Sequence, residues 1–205
     1  MEYESHYYAE GYSPENDPYV MENGVLKNHL GITDTALLNQ YEQRLSNFHI
    51  VKILVEWPSQ GFDVEYFKSL HRTIFGEVYP WAGEFRKVDI GKGDTLFLPH
   101  TQIEHETQHL FNDLADENFL YGSTHEIFSH KMGEYLIRLN QIHPFREGNG
   151  RTQRVLVSKI AQHAGMRMDW SSISNEAMKR ACIEGVNGNI RNMVRLILLN
   201  SKKTN

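Results

Sequence analysis

The sequence has little of what marks secreted, membrane-spanning or nucleic-acid-coating proteins. Its single cysteine, Cys182, excludes an intramolecular disulfide and favours a reducing compartment. The longest strongly apolar runs, such as residues 196–199, are far too short to span a membrane, and the polar N-terminus does not resemble a signal peptide. Lys and Arg number 21 against 26 Asp and Glu, which argues against a general nucleic-acid surface. We therefore expect a cytoplasmic protein without membrane or direct nucleic-acid contacts.

The length of 205 residues favours one domain with its own hydrophobic core. We expect residues 1–32 to form an arm that packs on a domain of residues 33–205. Apolar residues recur every three to four positions along most of that domain, which predicts helices. The first predicted helix starts at Thr33 or Asp34 and ends before Pro58, with an apolar stripe of Leu37, Tyr41, Leu45 and Phe48, and the second starts at Asp63 with a stripe of Phe67, Leu70 and Ile74. Two capping-box patterns, Thr101 with Glu104 and Ser123 with Glu126, start the next two helices, and the second of these should bury Ile127, Met132, Tyr135, Leu136 and Leu139. A fifth helix should run from Arg151 to Gly165, and two shorter ones should start at Ser174 and Asn189.

The pattern changes between residues 86 and 98. Val88 and Ile90 alternate with polar neighbours, residues 91–94 are rich in glycine, and residues 96–98 are apolar again. Alternation on both sides of a glycine turn predicts a short β-hairpin. A plain surface loop is the alternative interpretation.

The segment with the most chemistry is residues 143–154, His-Pro-Phe-Arg-Glu-Gly-Asn-Gly-Arg-Thr-Gln-Arg. Pro144 ends the preceding helix, and Gly148 and Gly150 allow backbone N–H groups to point inward where the next helix begins. Such a helix N-terminus attracts phosphate. Arg151 and Arg154 lie three residues apart on one face of that helix and can clamp a di- or triphosphate.

Three further side chains in this segment complete a candidate active site. Glu147 offers an oxygen ligand for Mg²⁺, which needs only one or two carboxylates besides phosphate oxygens. Asn149 can donate to a phosphate oxygen. His143 titrates near neutrality and can accept a proton from a nucleophile. Taken one at a time, the glycines are compatible with a simple turn and the arginines with a solvated helix face.

The segment resembles the signature of the Fic (Fic/Doc) family, His-x-Phe-x-(Asp/Glu)-Gly-Asn-Gly-Arg-x-x-Arg, with every defined position filled. The resemblance extends to residues 75–83, to residues 88–98 and to Asp17-Pro18-Tyr19. It implies an all-α fold, a helical bundle with a short β-hairpin flap over the active site. It also implies transfer of AMP from ATP to a Tyr, Thr or Ser hydroxyl of a target protein, whose segment pairs with the main chain of the flap.

The position of the adenine cannot be read from spacing. We place the turn of the flap among the nucleotide-binding candidates, and residues 184–189 are a second candidate region. The turn residues are Lys92, Gly93, Asp94 and Thr95.

A competing motif lies at residues 105–109, His-Glu-Thr-Gln-His, a spacing that on a helix can hold zinc. The apolar stripe of that helix contains Ile103 and Leu110. His105 and His109 point roughly 160–240° away from that stripe at 100° per residue. We therefore expect both histidines to face solvent, which makes a zinc hydrolase the less favoured interpretation.

Two other functions remain open: a Doc-like protein kinase, disfavoured by Gly150 where that variant has lysine, and a non-catalytic binding module.

Many family members are inhibited by a helix with (Ser/Thr)-x-x-x-Glu-(Gly/Asn), whose glutamate pairs with the second motif arginine, here Arg154. No Glu-Gly or Glu-Asn pair in the sequence has Ser or Thr four residues before the glutamate. The resemblance to stand-alone bacterial toxins therefore implies a separate antitoxin, and a type II DNA topoisomerase subunit as one candidate target.

Overall fold

The computed structural model describes residues 17–56, 61–92 and 95–204, which form seven α-helices and two short antiparallel ribbons. The expected all-α fold with one β-hairpin is confirmed. The second ribbon, which joins the end of the motif helix to the last strand, was not predicted. The elements are α1 Thr35–Val55, α2 Val64–Phe75, β1 Gly91–Lys92, β2 Thr95–Leu96, α3 Ile103–Asp116, α4 His125–Ile142, α5 Asn149–His163, β3 Met166–Met168, α6 Asn175–Val186, α7 Arg191–Asn200 and β4 Ser201–Lys203.

Helix α4 is the centre of the bundle and packs against α3, α5, α6 and α7. Met132, Tyr135, Leu136 and Leu139 are buried as predicted. Ile127 was predicted to be buried but is 53% exposed, because it lies in the first turn of α4, away from these neighbours.

Several predicted helix starts are confirmed by side-chain caps. Asp34, Asp63 and Ser174 each accept a hydrogen bond from the N–H three residues later. Two predicted starts were wrong. Thr101 lies inside a 3₁₀ turn that precedes α3, and the cap of α4 is Thr124, one residue after Ser123.

Most of the apolar stripe predicted for α1 faces outward, and only Leu45 is partly buried against the core. Leu37, Tyr41 and Phe48 are 43%, 46% and 60% exposed. The residues that α1 buries are Leu38, Glu42, Ser46 and Ile53. This face points inward, although it contains polar groups, because Glu42 and Ser46 bind Arg151 of the motif helix.

The flap is the hairpin of residues 88–98. Gly91 pairs with Leu96, and Lys92 pairs with Thr95. This ribbon confirms the hairpin prediction against the alternative of a plain loop. Gly93 and Asp94, which were predicted to form its turn, lie outside the described residues, as do Pro58 and the first sixteen residues of the predicted arm.

The described part of the arm, residues 17–32, packs on the domain. The Asp17 carboxylate pairs with Arg146 at 2.8 Å, and both side chains are buried. The ring of Tyr19 meets Trp81 edge-on at 5.4 Å, and its hydroxyl accepts from the Lys87 N–H. None of the helices within the described ranges has both the length and the apolar content that a membrane crossing requires.

We expect Leu38→Ala to lower the free energy of unfolding by about 2–5 kcal/mol, because it leaves a cavity in the core. Leu37→Ala, one residue away on the exposed side, is the matched control and should change it by less than about 0.5 kcal/mol. Urea unfolding measures both. Equal losses would mean that the described orientation of α1 is incorrect.

Candidate active site

The site is built around the tight reversal between α4 and α5. His143 caps α4 in the left-handed conformation, at φ 46°. Gly148 begins α5 at φ 81°, and a Cβ there would lie 2.4 Å from the Phe75 ring. A side chain at residue 148 would therefore clash and be strained, so the glycine is required by the fold.

Asn149 closes this reversal with its side chain. Its Oδ1 accepts from the Phe145 N–H at 2.8 Å, and its Nδ2 donates to the Phe145 carbonyl at 2.7 Å. The amide that was expected to reach a phosphate is thus occupied by the loop. The main-chain N–H groups of Asn149, Gly150 and Arg151 precede the first intrahelical bond, from the Thr152 N–H to the Gly148 carbonyl. They are the groups of this turn that suit an anion.

His143 is held in one orientation as a neutral imidazole. Its Nδ1 lies 3.2 Å from the Asn140 carbonyl, which can only accept, so Nδ1 has the proton and Nε2 the lone pair. The Phe97 ring of the flap stacks on the imidazole at 3.8 Å. Burial, helped by the charges of Arg86 and Lys92, lowers the pKa of His143 to about 3. At neutral pH the imidazole is therefore unprotonated, with its lone pair on Nε2.

Arg86 was missed by the sequence analysis. Its side chain is buried and donates to main-chain carbonyls on both sides of the site, at His143, Ile142, Val88 and Leu98. Residue 86 lies between the stretches 75–83 and 88–98 that resemble the family, and no spacing rule identifies a buried arginine in advance.

Glu147, the expected metal ligand, is mostly shielded from solvent. Its Oε1 accepts from the Gly148 N–H at 2.9 Å and lies 3.7 Å from Arg151. Burial and the nearby carboxylate of Glu42 raise the pKa of Glu147, while Arg151 opposes that shift. A divalent cation would stabilise the ionised form, and a lone carboxylate beside a phosphate site is a donor set that suits Mg²⁺.

His71 supports Glu147 from α2. Its Nδ1 accepts from the Gly83 N–H at 2.8 Å, so its Nε2 is the donor to the Glu147 carbonyl at 2.9 Å. Its ring stacks on Phe145 at 3.9 Å. Burial lowers the pKa of His71 to about 3.

The two motif arginines share a helix face but have different surroundings. Arg151 pairs with Glu42 at 2.6 Å, donates to the Ser46 hydroxyl at 3.1 Å, and lies over the Phe75 ring. Glu42 also accepts from the Tyr79 hydroxyl. Arg154 has no ion pair within the part of the chain that the structure describes. Burial and the charge of Arg151 lower the pKa of Arg154, so an incoming anion would be favoured there.

The remaining predicted residues are only partly located. Lys92 and Thr95 pair across the flap, and the positive charge of Lys92 contributes to the lowered pKa of His143. Gly150 lies at the exposed start of α5, where a Cβ would be 3.4 Å from the Arg154 guanidinium. The second adenine candidate, residues 184–189, lies at the end of α6, which packs on α4 and α7. The adenine position stays a prediction.

The histidines of the competing motif face solvent, as expected. The side chains of His105 and His109 are 80% and 60% exposed. They pair with Glu106 and Asp113, respectively, on the surface of α3. The described residues contain no group of three potential metal ligands from His, Cys, Asp and Glu.

A family model described as "Fic/DOC family" matches residues 61–161. A probable protein adenylyltransferase Fic from Salmonella typhimurium is 33% identical over 85% of this chain and 86% of its own length. The chain belongs to the Fic/DOC family. The resemblance of residues 143–154 to the Fic signature is thereby confirmed.

Other Fic proteins agree with this assignment. The protein adenylyltransferase VbhT of Bartonella schoenbuchensis is 40% identical over 92% of this chain, which spans only 40% of the length of VbhT. The BepC protein of Bartonella tribocorum, solved with bound AMPPNP, has a TM-score of 0.84 at 29% identity, covering 91% of this chain and 97% of BepC. A Fic domain from Bartonella quintana with bound ADP has a TM-score of 0.85 at 29% identity, covering 91% of this chain and 95% of that domain.

The low pKa values of His71 and His143 predict that this Fic chain loses stability in acid. The ordinary histidine pKa is 6.5, whereas both folded values are about 3. Below pH 6.5 the unfolded chain binds protons that the folded chain does not. Stability is therefore full above the unfolded pKa and is lost as the pH falls from 6.5 towards 3. At about pH 5, each residue should remove on the order of 2 kcal/mol.

Urea unfolding at about pH 7.5 and pH 5 measures this loss. We expect the difference between the two conditions to shrink in His143→Gln. It should stay the same in His105→Gln, the exposed control. A difference that His143→Gln leaves unchanged would show that His143 titrates normally in the folded chain.

Proposed function

We propose that this chain transfers AMP from ATP to a hydroxyl group of a target protein. The observation that carries the proposal is the neutral His143, which has its lone pair on Nε2 and caps α4 within six residues of the start of α5, the helix that contains both arginines. A base and an anion-binding helix end, a few residues apart, suit attack of a hydroxyl on a phosphate. That VbhT and the Salmonella protein are named protein adenylyltransferases supports the same reaction.

In the proposed step, the target hydroxyl oxygen bonds to the α-phosphorus of ATP. The bond from that phosphorus to the bridging oxygen of pyrophosphate breaks, and pyrophosphate leaves. His143 Nε2 accepts the hydroxyl proton, while the hydrogen bond to Asn140 stabilises the imidazolium that forms. The N–H groups of Asn149, Gly150 and Arg151 bind the phosphate oxygens, and Arg151 and Arg154 offset their charge.

Glu147 would hold Mg²⁺ in this proposal. A bound Mg²⁺ would offset the phosphate charge of the nucleotide during transfer. The contribution of the chain is to fix the Glu147 carboxylate, through the Gly148 N–H on its side chain and His71 on its carbonyl. The position of that ligand therefore depends on α2 as well as on the motif.

The flap is the proposed docking site for the target segment. In the described part of the chain, β1 and β2 pair only with each other, so each strand has an outer edge for an extended peptide. Phe97 is contiguous with β2 and stacks on His143. A peptide on that edge would lie close to the base.

The test is mass spectrometry of candidate targets, including a type II DNA topoisomerase subunit, after incubation with the chain, ATP and Mg²⁺. We expect a target to gain an adenylyl group. His143→Ala should lower the rate roughly 10²–10⁴-fold, and His105→Ala, its exposed control, should not. A phosphoryl gain would instead indicate the kinase, and no gain on any target or on the chain itself would favour a binding module.

Arg154 is proposed to serve two competing anions: the γ-phosphate of ATP and a glutamate of a separate antitoxin helix. The buried environment of Arg154 and its repulsion by Arg151 favour either partner. The competition explains inhibition in physical terms, because both anions need the same guanidinium.

We expect Arg154→Ala to weaken ATP binding and inhibition while the fold survives. Titration with a fluorescent ATP analogue measures the first effect. A synthetic helical peptide containing Ser-x-x-x-Glu-Gly, added to the transfer assay, measures the second. Arg191→Ala, on α7, is the control. Unchanged activity at limiting ATP would remove Arg154 from the nucleotide site.

A further inference from the structure

Arg86 lies between the flap and the reversal that joins α4 to α5. Its Nε donates to the His143 carbonyl at 2.9 Å, and its Nη2 donates to the Ile142 carbonyl at 3.2 Å. Its Nη1 donates to the Val88 carbonyl at 2.7 Å, and its Nη2 also donates to the Leu98 carbonyl. One guanidinium therefore bonds to both arms of the flap and to the end of α4.

The charge of Arg86 is stabilised almost entirely by the main chain. The residue is only 2% exposed, and its nearest carboxylate, on Asp89, is 3.8 Å away. Burial lowers the pKa of Arg86 to about 10, which leaves it protonated at neutral pH. The carbonyls at the C-terminus of α4 are the negative end of the helix dipole and suit a buried cation.

These bonds also fix the backbone of the base. A left-handed conformation costs a residue other than glycine roughly 1–2 kcal/mol, and it persists only where the surroundings impose it. Arg86 makes two hydrogen bonds to the main chain here. The Arg86 side chain donates to the His143 carbonyl, and the Arg86 main-chain N–H donates to the Pro144 carbonyl at 2.8 Å. Without these bonds, the backbone can relax and turn the imidazole.

The flap and the base are linked by two more contacts. The Leu98 N–H donates to the Gln141 carbonyl at 3.0 Å, and the Phe97 ring stacks on the His143 ring. The strand that would hold the target segment and the imidazole that would take its proton are therefore joined directly as well as through Arg86.

We propose that Arg86 is a positioning residue for transfer: it sets the distance between the target-binding edge of the flap and Nε2 of His143. This proposal rests on the proposed function. It predicts that Arg86 acts on the step that involves the target hydroxyl and has little effect on nucleotide binding. Only a planar fork with several donors can reach four carbonyls, so lysine should not replace it.

The first test compares the wild type with Arg86→Lys and Arg86→Gln. We expect kcat for target modification to fall at least tenfold in both variants, while the dissociation constant of an ATP analogue changes less than threefold. The control is Leu114→Ala, a core variant on α3 that loses stability away from the site. An equal loss of kcat in Leu114→Ala, or a matching loss of nucleotide affinity in the Arg86 variants, would overturn the proposal.

The second test measures the tautomer of His143 directly, by ¹⁵N NMR of its imidazole nitrogens. The wild type should show one tautomer, with the proton on Nδ1, and Arg86→Lys should show a mixture. Leu114→Ala should keep the single tautomer. If the Arg86 variants kept it too, the positioning role would be excluded.

A third measurement covers the case in which the Arg86 variants do not fold. In the labelled wild type, the hydrogen bond from Arg86 Nε to the His143 carbonyl should give a through-bond nitrogen–carbon coupling. Its absence would overturn the proposal. If the wild type transfers no AMP at all, the proposed function fails, and the tautomer measurement still decides the role of Arg86.

Discussion

The reversal between α4 and α5 is the constraint on which the site depends. It brings the end of one helix and the start of the next together within six residues, and it needs a left-handed residue at His143 and a glycine at Gly148. Its own bonds include the two between the Asn149 side chain and Phe145, and side chains from elsewhere in the chain add to them. Three other parts of the chain each contribute one polar side chain to it: Asp17 from the arm, His71 from α2 and Arg86 before the flap.

The sequence predicted what depends on local chemistry. The order of the helices, the caps at Asp34, Asp63 and Ser174, the hairpin and the motif are all read from nearby residues, and the structure has them. The supporting residues were missed because their partners are distant in sequence, as with His71 and Glu147. The error on α1 has the same origin: its inward face binds Arg151, so hydrophobic periodicity fails where function places polar residues inside.

The two motif arginines show why spacing alone cannot assign roles. The charge of Arg151 is already balanced by Glu42, and its guanidinium is held over the Phe75 ring, so its position is fixed by these contacts. Arg154, one helical turn later, is buried beside that positive charge. The three-residue spacing predicted that both arginines clamp the phosphates, whereas their surroundings differ: Arg151 is paired with Glu42, and Arg154 has no ion pair among the described residues.

The charged side chains around residues 143–154 suggest which groups would meet the phosphates of a nucleotide. Glu42 and Glu147 lie 2.6 and 3.7 Å from Arg151 and offset its charge. A triphosphate brings several negative charges and would be repelled by these carboxylates. In the proposed reaction, a divalent cation held by Glu147 would reduce this repulsion, and Arg154 and Lys92 would be the candidates to meet the remaining phosphate charge. Because the charge of Lys92 also lowers the pKa of His143, an anion near Lys92 would make the base stronger as the substrate binds.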